Sequence, residues 1–453
     1  MANLVKDYND IINTLIGIAI IMSSATAWYF FSITGINYFW LVFFAISLAI
    51  FAVLVKRFDF YIKHELKSFF KDKYNIILFT YMIWMSISYM ANYQGKSTLL
   101  YIFKMWFILG VYLYLVIFYL KKVNEQGKCD FMNKICSIIF ALGIVHAVIA
   151  SCEFVFDSNV LLGIKLTRWV PYNPASLYAN VNGLGTYMFI SIMAGIYCLF
   201  LYSKSKFRPL YIAGIVLQIY VLFLTVARTS MITTAVFIVG TLLFLKLDKT
   251  KRVKNVLTKK NIMIFIMANI IMLCVVNFNT IDGWLTNGAR KGHIRTASDM
   301  LEEKNSKLFN QRQFIWKAVI KDRNEYVVFG DGLKYNIVHK IDVGSVIAAD
   351  DKDAVRISYH NTMFRYFASN GALGLLLFLA LFAYNPLKIL VIMFREKKLK
   401  AKHYFVLLFF LCIFLYMQME EVYLGEIGGP NLVTLAVMAY ANSILTDNKG
   451  DEI

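Results

Sequence analysis

Apolar residues in this chain run in long blocks broken by short polar stretches, and one polar stretch, residues 279–360, is far longer than the others. A helix needs about 20 consecutive apolar residues to cross the hydrocarbon core of a bilayer. Twelve blocks meet that length: 11–33, 37–55, 75–91, 98–120, 132–154, 181–202, 209–226, 229–246, 261–278, 361–384, 404–421 and 430–446. The pattern therefore predicts an all-α polytopic membrane protein with about 12 transmembrane helices. The long polar stretch divides it into an N-terminal transmembrane region (1–278, helices 1–9), a loop domain (279–360) and a C-terminal transmembrane region (361–453, helices 10–12).

Within the loop domain, residues 298–322 carry an apolar stripe near the helical period (Leu301, Leu308, Phe314, Ile315, Ala318, Val319), with Asp299 and Glu302 spaced as a capping box. Phe329-Gly330-Asp331-Gly332 reads as a turn, and an acidic patch follows at Asp350, Asp351 and Asp353.

Charge fixes the expected orientation. The connections 56–74, 121–134, 203–208, 246–260 and 385–403 hold six, four, three, seven and six lysines and arginines, whereas the alternate short ones are poor in them. Lysine and arginine excess marks the cytoplasmic side. Both termini are then cytoplasmic, and the loop domain is extracytoplasmic. The net charge of +19 is topogenic on this reading and needs no nucleic-acid partner. The first apolar block reads as a retained helix rather than a signal peptide. Composition agrees: 59% hydrophobic with 17% charged residues is far from a soluble domain. The six cysteines show no paired spacing, so neither a disulfide framework nor a zinc site is expected.

The candidate chemistry gathers at the ends of these blocks. His360 closes the polar loop where an apolar helix begins, and a histidine there can take a proton near neutral pH. It equally suits an interfacial anchor bonded to a carbonyl. Arg228 lies in a tight turn between two apolar blocks, where a guanidinium either snorkels or holds an anion such as a diphosphate. Arg312 and Trp316 share a helix face, suited to a cation–π contact or to ligand binding.

Arg168, Asn180 and Asn182 surround a helix start whose backbone N–H groups can cap or hold anions. Arg365 is one turn beyond His360, placed to orient it, bind phosphate or snorkel. Glu420 and Glu421 close the eleventh block, where they can pair with an arginine or accept a proton. His146, inside the fifth block, reads as a packed, hydrogen-bonded side chain. No HExxH, P-loop or paired-carboxylate motif is present.

These short motifs, in this order, resemble the O-antigen ligase/polymerase superfamily of bacterial membrane glycosyltransferases. The resemblance rests on Asn180-Val181-Asn182-Gly183, Ala227-Arg228-Thr229-Ser230, Arg312 with Trp316-Lys317-Ala318, Phe329-Gly330-Asp331-Gly332, and His360-Asn361-Thr362 leading into Asn370-Gly371-Ala372-Leu373-Gly374. It covers residues 165–385 at motif level. Two departures are Val181, where the family more often has proline, and Ala227, where serine or glycine is usual.

The resemblance implies a GT-C-like helical architecture and a metal-independent, inverting glycosyltransferase without a cofactor. It implies an undecaprenyl-diphosphate-linked oligosaccharide as donor, and an active site on the extracytoplasmic face of the bacterial cytoplasmic membrane. By the same resemblance His360 is the general base, and Arg228 and Arg312 bind the diphosphate. Arg168, Asn180, Asn182, Arg365 and Glu420 are further substrate-binding candidates.

The expected reaction is polymerisation of capsule, exopolysaccharide or O-antigen, with a flippase and a chain-length regulator as partners. One alternative is a ligase that transfers the glycan to lipid A core or another surface acceptor. The other is a flippase or transporter of the same lipid-linked glycan. Against a transporter, the sequence shows no internal repeats, and its informative arginines and histidine lie at block ends on one expected side.

Overall fold

The computed structural model describes residues 2–25, 38–57, 70–156, 160–161, 164–165, 174–178, 181–202, 205–247, 258–276, 309–321, 323–332, 359–396, 400–426 and 428–446. Apart from turns and connections, these residues are helical, with one two-residue antiparallel ladder, Val160–Leu161 with Ile164–Lys165. Each predicted apolar block overlaps a helix, and residues 26–33 of the first block lie outside the described residues. In chain order these are α1 (Ala2–Ala25), α2 (Tyr38–Arg57), α3 (Lys73–Ala91), α4 (Lys96–Lys122, with a π-helical stretch at Leu109–Leu115) and α5 (Glu125–Val155). They continue with α6 (Val181–Tyr197), α7 (Arg208–Thr225), α8 (Arg228–Leu247) and α9 (Lys259–Val276). The loop domain supplies α10 (Phe309–Lys321) and α11 (Arg323–Tyr326). Helices α12 (Thr362–Glu396), α13 (Ala401–Met417) and α14 (Gly429–Thr446) complete the chain.

Among the described residues six helices are long and apolar enough to cross a membrane, and four shorter apolar helices accompany them. Their exposed surfaces are rich in large apolar side chains, as on Leu242, Leu243, Ile266 and Leu376. In water this much exposed apolar area is unfavourable; against lipid it is the solvated face.

Two block ends need correction. The tenth block continues to Glu396, past the expected 384, and it is broken rather than straight. Gly371 sits at φ 74°, ψ −179°, so α12 is two helices joined by one non-helical residue. The eleventh ends at Met417, not 421, so Glu420 and Glu421 lie in the connection 418–426.

The break in α12 is where the loop domain docks. The Asp331 amide donates to the Ala368 carbonyl at 2.7 Å, and the Ala372 amide to the Val327 carbonyl at 2.9 Å. Breaking the helix at Gly371 leaves backbone groups without helical partners, and the turn 327–332 satisfies them. Contact is so close that a Cβ on Gly371 would stand 2.0 Å from the Val328 carbonyl oxygen. One on Gly330 (φ 66°) would stand 2.4 Å from the Ser369 carbonyl carbon. Helix α3 closes the third side. Ser88 donates to the Phe329 carbonyl, Asn92 to the Gly330 carbonyl, and Trp84 stacks on Phe329.

Candidate active site

The starts of α6, α8, α12 and α14 and the ends of α3, α5, α7 and α13 meet at one end of the bundle. Local sequence explains how each delivers its side chain. Between α7 and α8 the chain reverses over Val226 and Ala227. Val226 is left-handed (φ 52°), a costly conformation for a β-branched residue. The Thr225 hydroxyl supports the reversal by accepting from the Ala227 amide. Gly185 on α6 lets this turn approach, since a Cβ there would lie 2.3 Å from the Ala227 Cβ. Arg228 therefore opens α8 beside Asn182, the second residue of α6.

The His360-Asn361-Thr362 segment is a cap in which each residue has its own task. The Asn361 carbonyl oxygen of the side chain accepts from the Met363 and Phe364 amides, so it N-caps α12. Its side-chain amide donates to the Gln418 carbonyl at 2.8 Å. The Thr362 hydroxyl donates to the Glu420 carbonyl and accepts from the Val422 amide. The cap thus clasps the connection 418–426. His360 precedes it in the left-handed region (φ 48°), and its amide donates to Glu421 Oε1 at 3.1 Å. A non-glycine residue held in that conformation marks a site where the surroundings over-determine the backbone.

Two carboxylates organise the charges. Glu420 reaches Arg312 Nη2 with Oε1 at 2.7 Å, and its Oε2 stands 3.4 Å from His360 Nδ1. Glu421 holds Arg365 at 2.7 Å. Glu426 also pairs with Arg365, and the Arg365 guanidinium lies 4.2 Å over the Tyr423 ring. Arg365 is buried, so of its three expected roles the outward snorkel does not occur; its charge goes into fixing the 418–426 connection. Burial holds the Tyr423 hydroxyl well above its ordinary pKa, so it stays neutral and donates to Asn370 at 2.7 Å.

Arg312 does not lie on Trp316. Trp316 stacks on Phe364, and its Nε1–H donates to the Tyr359 carbonyl, which ties α10 to the residue before the histidine. That leaves Arg312 turned to Glu420.

A cleft of about 590 Å³ opens at this end of the bundle, lined by Asn182, Thr186, Arg228, Ser230, Arg312 and Glu420, with 226–227, Thr229 and Met419. Four of the residues singled out from sequence therefore share one cavity. His360 is not on its wall; it stands behind Glu420, with its side chain 34% exposed. Arg168 and Asn180 lie outside the described residues, as do the Asp299/Glu302 cap and the acidic patch at 350–353.

Sequence reading passed over Thr186, whose only signal is a hydroxyl near a helix start, and named Ser230 only as part of the Arg228 motif. It also missed Glu153. That carboxylate is buried and accepts from the Ala175 and Ser176 amides, anchoring the loop that leads to α6. An acidic residue inside an apolar block was its signal. His146 bonds Ser176 at 3.0 Å and packs on Tyr178, as expected of a structural histidine. No group of three metal-ligating side chains occurs among the described residues.

A helical membrane protein with an arginine-lined cleft at one end of the bundle is the class these features define. Residues 213–379 match the family model described as O-antigen ligase, in agreement with the superfamily that the sequence resembles. The match runs from α7 into α12 and includes Arg228, Arg312, His360 and the Gly371 break. No curated protein matches the chain. The family points broadly to an enzyme of ligase or polymerase type.

Proposed function

We propose that the protein is a polysaccharide polymerase. It transfers a glycan from a polyprenyl diphosphate carrier to a hydroxyl of a second lipid-linked repeat unit. The observation that carries this reading is the convergence of Arg228 and Arg312 on one cleft whose carboxylate, Glu420, also reaches His360. Two guanidinium groups beside the first turn of α8 suit a diphosphate, which is chelated by planar donor forks and favoured at a helix N-terminus.

With the Nδ1–H of His360 directed at Glu420, Nε2 carries the lone pair that accepts a proton. The acceptor oxygen attacks the anomeric carbon and its proton passes to His360 Nε2. The bond from that carbon to the diphosphate oxygen breaks, and its electron pair leaves with the polyprenyl diphosphate. Arg228 and Arg312 stabilise the charge that grows there. Direct attack inverts the anomeric centre.

In this reading twelve helices span the bacterial cytoplasmic membrane. The lysine-rich ends and both termini are cytoplasmic, and the cleft opens at the outer face, where the loop domain sits between helices 9 and 10. A flippase supplies the lipid-linked repeat, and a chain-length regulator is the expected partner. The ligase differs only in the acceptor.

Replacing His360 with alanine tests the assignment. Long chains should vanish and single lipid-linked repeats accumulate outside the membrane, read by gel profile and lipid extraction. Accumulation of unattached lipid-linked polymer would make the protein a ligase. Retention of the repeat on the cytoplasmic side would make it a flippase, and undiminished long chains would remove His360 as the base.

A further inference from the structure

Glu420 is an anion in a cleft read as an anion site. Its partners there are Arg312 at 2.7 Å and, through the other oxygen, His360 at the longer distance of 3.4 Å. The Arg312 and Glu420 side chains are only 19% and 17% exposed, so the pair is weakly screened by water. The neighbouring carboxylates Glu421 and Glu426 are committed to Arg365. Arg228 and Arg312 line the cleft together with Glu420.

We infer that Glu420 is a placeholder for the donor diphosphate: it occupies Arg312 while the cleft is empty and is displaced toward His360 when the donor binds. The inference rests on the donor-site reading above. A diphosphate carries more charge than a carboxylate and takes the same guanidinium through the same fork. Two anions on one guanidinium repel, so Glu420 gives up Oε1 when the phosphate arrives. Its nearest alternative donor is the Nδ1–H of His360, whose present separation is at the limit of a hydrogen bond. Loading the donor therefore tightens the contact that fixes the imidazole with Nε2 toward the acceptor. Glu420 is a positioning residue that keeps the base loosely held until there is something to transfer. Before the donor arrives it also keeps the half-buried Arg312 guanidinium paired, which an arginine at a membrane surface requires.

The inference predicts that one substitution moves binding and turnover in opposite directions. E420Q is isosteric, keeps a side-chain oxygen for Arg312 and removes the competing charge. Inorganic diphosphate should bind purified E420Q about fivefold or more tighter than the parent protein by titration calorimetry, a typical coupling between competing sites. Polymer made in cells should fall about tenfold or more, because the base loses its charged partner. E420D keeps the charge and should restore much of the polymer.

Equal or weaker diphosphate binding by E420Q would overturn the placeholder role, as would undiminished polymer. A merely structural carboxylate, lost, would lower both readouts together. Arg228→Ala separates the two readings. If its diphosphate affinity equals that of the parent protein, the donor site itself is wrong. If Arg228→Ala binds poorly while E420Q binds as the parent does, only the placeholder inference fails.

Discussion

At the residue scale, the clearest division of labour is between the two glutamates that follow α13. Glu420 faces the cleft and Glu421 faces Arg365, so the proposed chemical role and the scaffold role fall on adjacent positions. Arg365 is the better test of the scaffold. Its side chain is 6% exposed and meets two carboxylates. Removing one partner of a buried ion pair leaves uncompensated charge and costs about 3–5 kcal/mol. Arg365→Ala should therefore lower the unfolding temperature of the purified protein and its level in the membrane, while Arg228→Ala should leave both near the parent values. A thermal melt in detergent checks this; an Arg365→Ala protein that melts like the parent would show that the 418–426 connection is held by other means.

The sequence made His360, Arg228, Arg312, Asn182 and Glu420 visible because charged and polar side chains at the ends of apolar blocks need a reason to be there. It could not show that Glu420 is shared between Arg312 and His360. That pairing joins α10 to the connection after α13, and residues 108 positions apart leave no local periodicity to read. Of the two readings of Arg312, the cation–π contact with Trp316 is not made, for the same reason. The spacing put both on one face of α10, but each found a better partner across the chain: Glu420 for the guanidinium, Phe364 for the indole.

At the element scale, the break in α12 was invisible as a break. Glycine is tolerated within apolar helices, so the block through Gly371 reads as continuous. Phe329-Gly330-Asp331-Gly332 was legible as a turn, but its docking site was not. The two features explain each other. Gly330, Gly332 and Gly371 all have positive φ, and the first and last face each other's backbone. This joint sits between α10–α11, which carries Arg312, and the helix that follows His360, so it sets the distance between Arg312 and His360.

Gly371→Ala would add a left-handed strain of about 1–3 kcal/mol to a clash with the Val328 carbonyl. The turn should undock. Protease cleavage near 327–332 should accelerate, and polymer should fall even though no cleft residue has changed. Cleavage at the parental rate would mean that the joint does not hold the loop domain in place.

At the scale of the whole molecule, hydrophobic pattern and charge bias predict one arrangement, and the described helices separate the cleft residues from several lysine-bearing ends along the bundle. The starts of α6, α8, α12 and α14 gather with the cleft residues at one end. The lysine-bearing ends, such as Lys121 with Asp72 and Lys402 with Glu125, gather at the other. The block boundaries were legible because burial of backbone polar groups in lipid forces helices of set length. Which blocks pack together was not, because lipid-facing and protein-facing surfaces are equally apolar.

The proposed orientation can be tested independently of any chemistry. In a cysteine-free background, Gln94→Cys lies exposed in the α3–α4 connection at the cleft end, and Lys206→Cys lies exposed at the opposite end, between α6 and α7. A membrane-impermeant maleimide applied to intact cells stripped of outer layers should label the first at once. It should reach the second only after permeabilisation. The reverse pattern would put the cleft in the cytoplasm, where an outward-facing lipid-linked glycan could not reach it, and the polymerase reading would fall with the orientation.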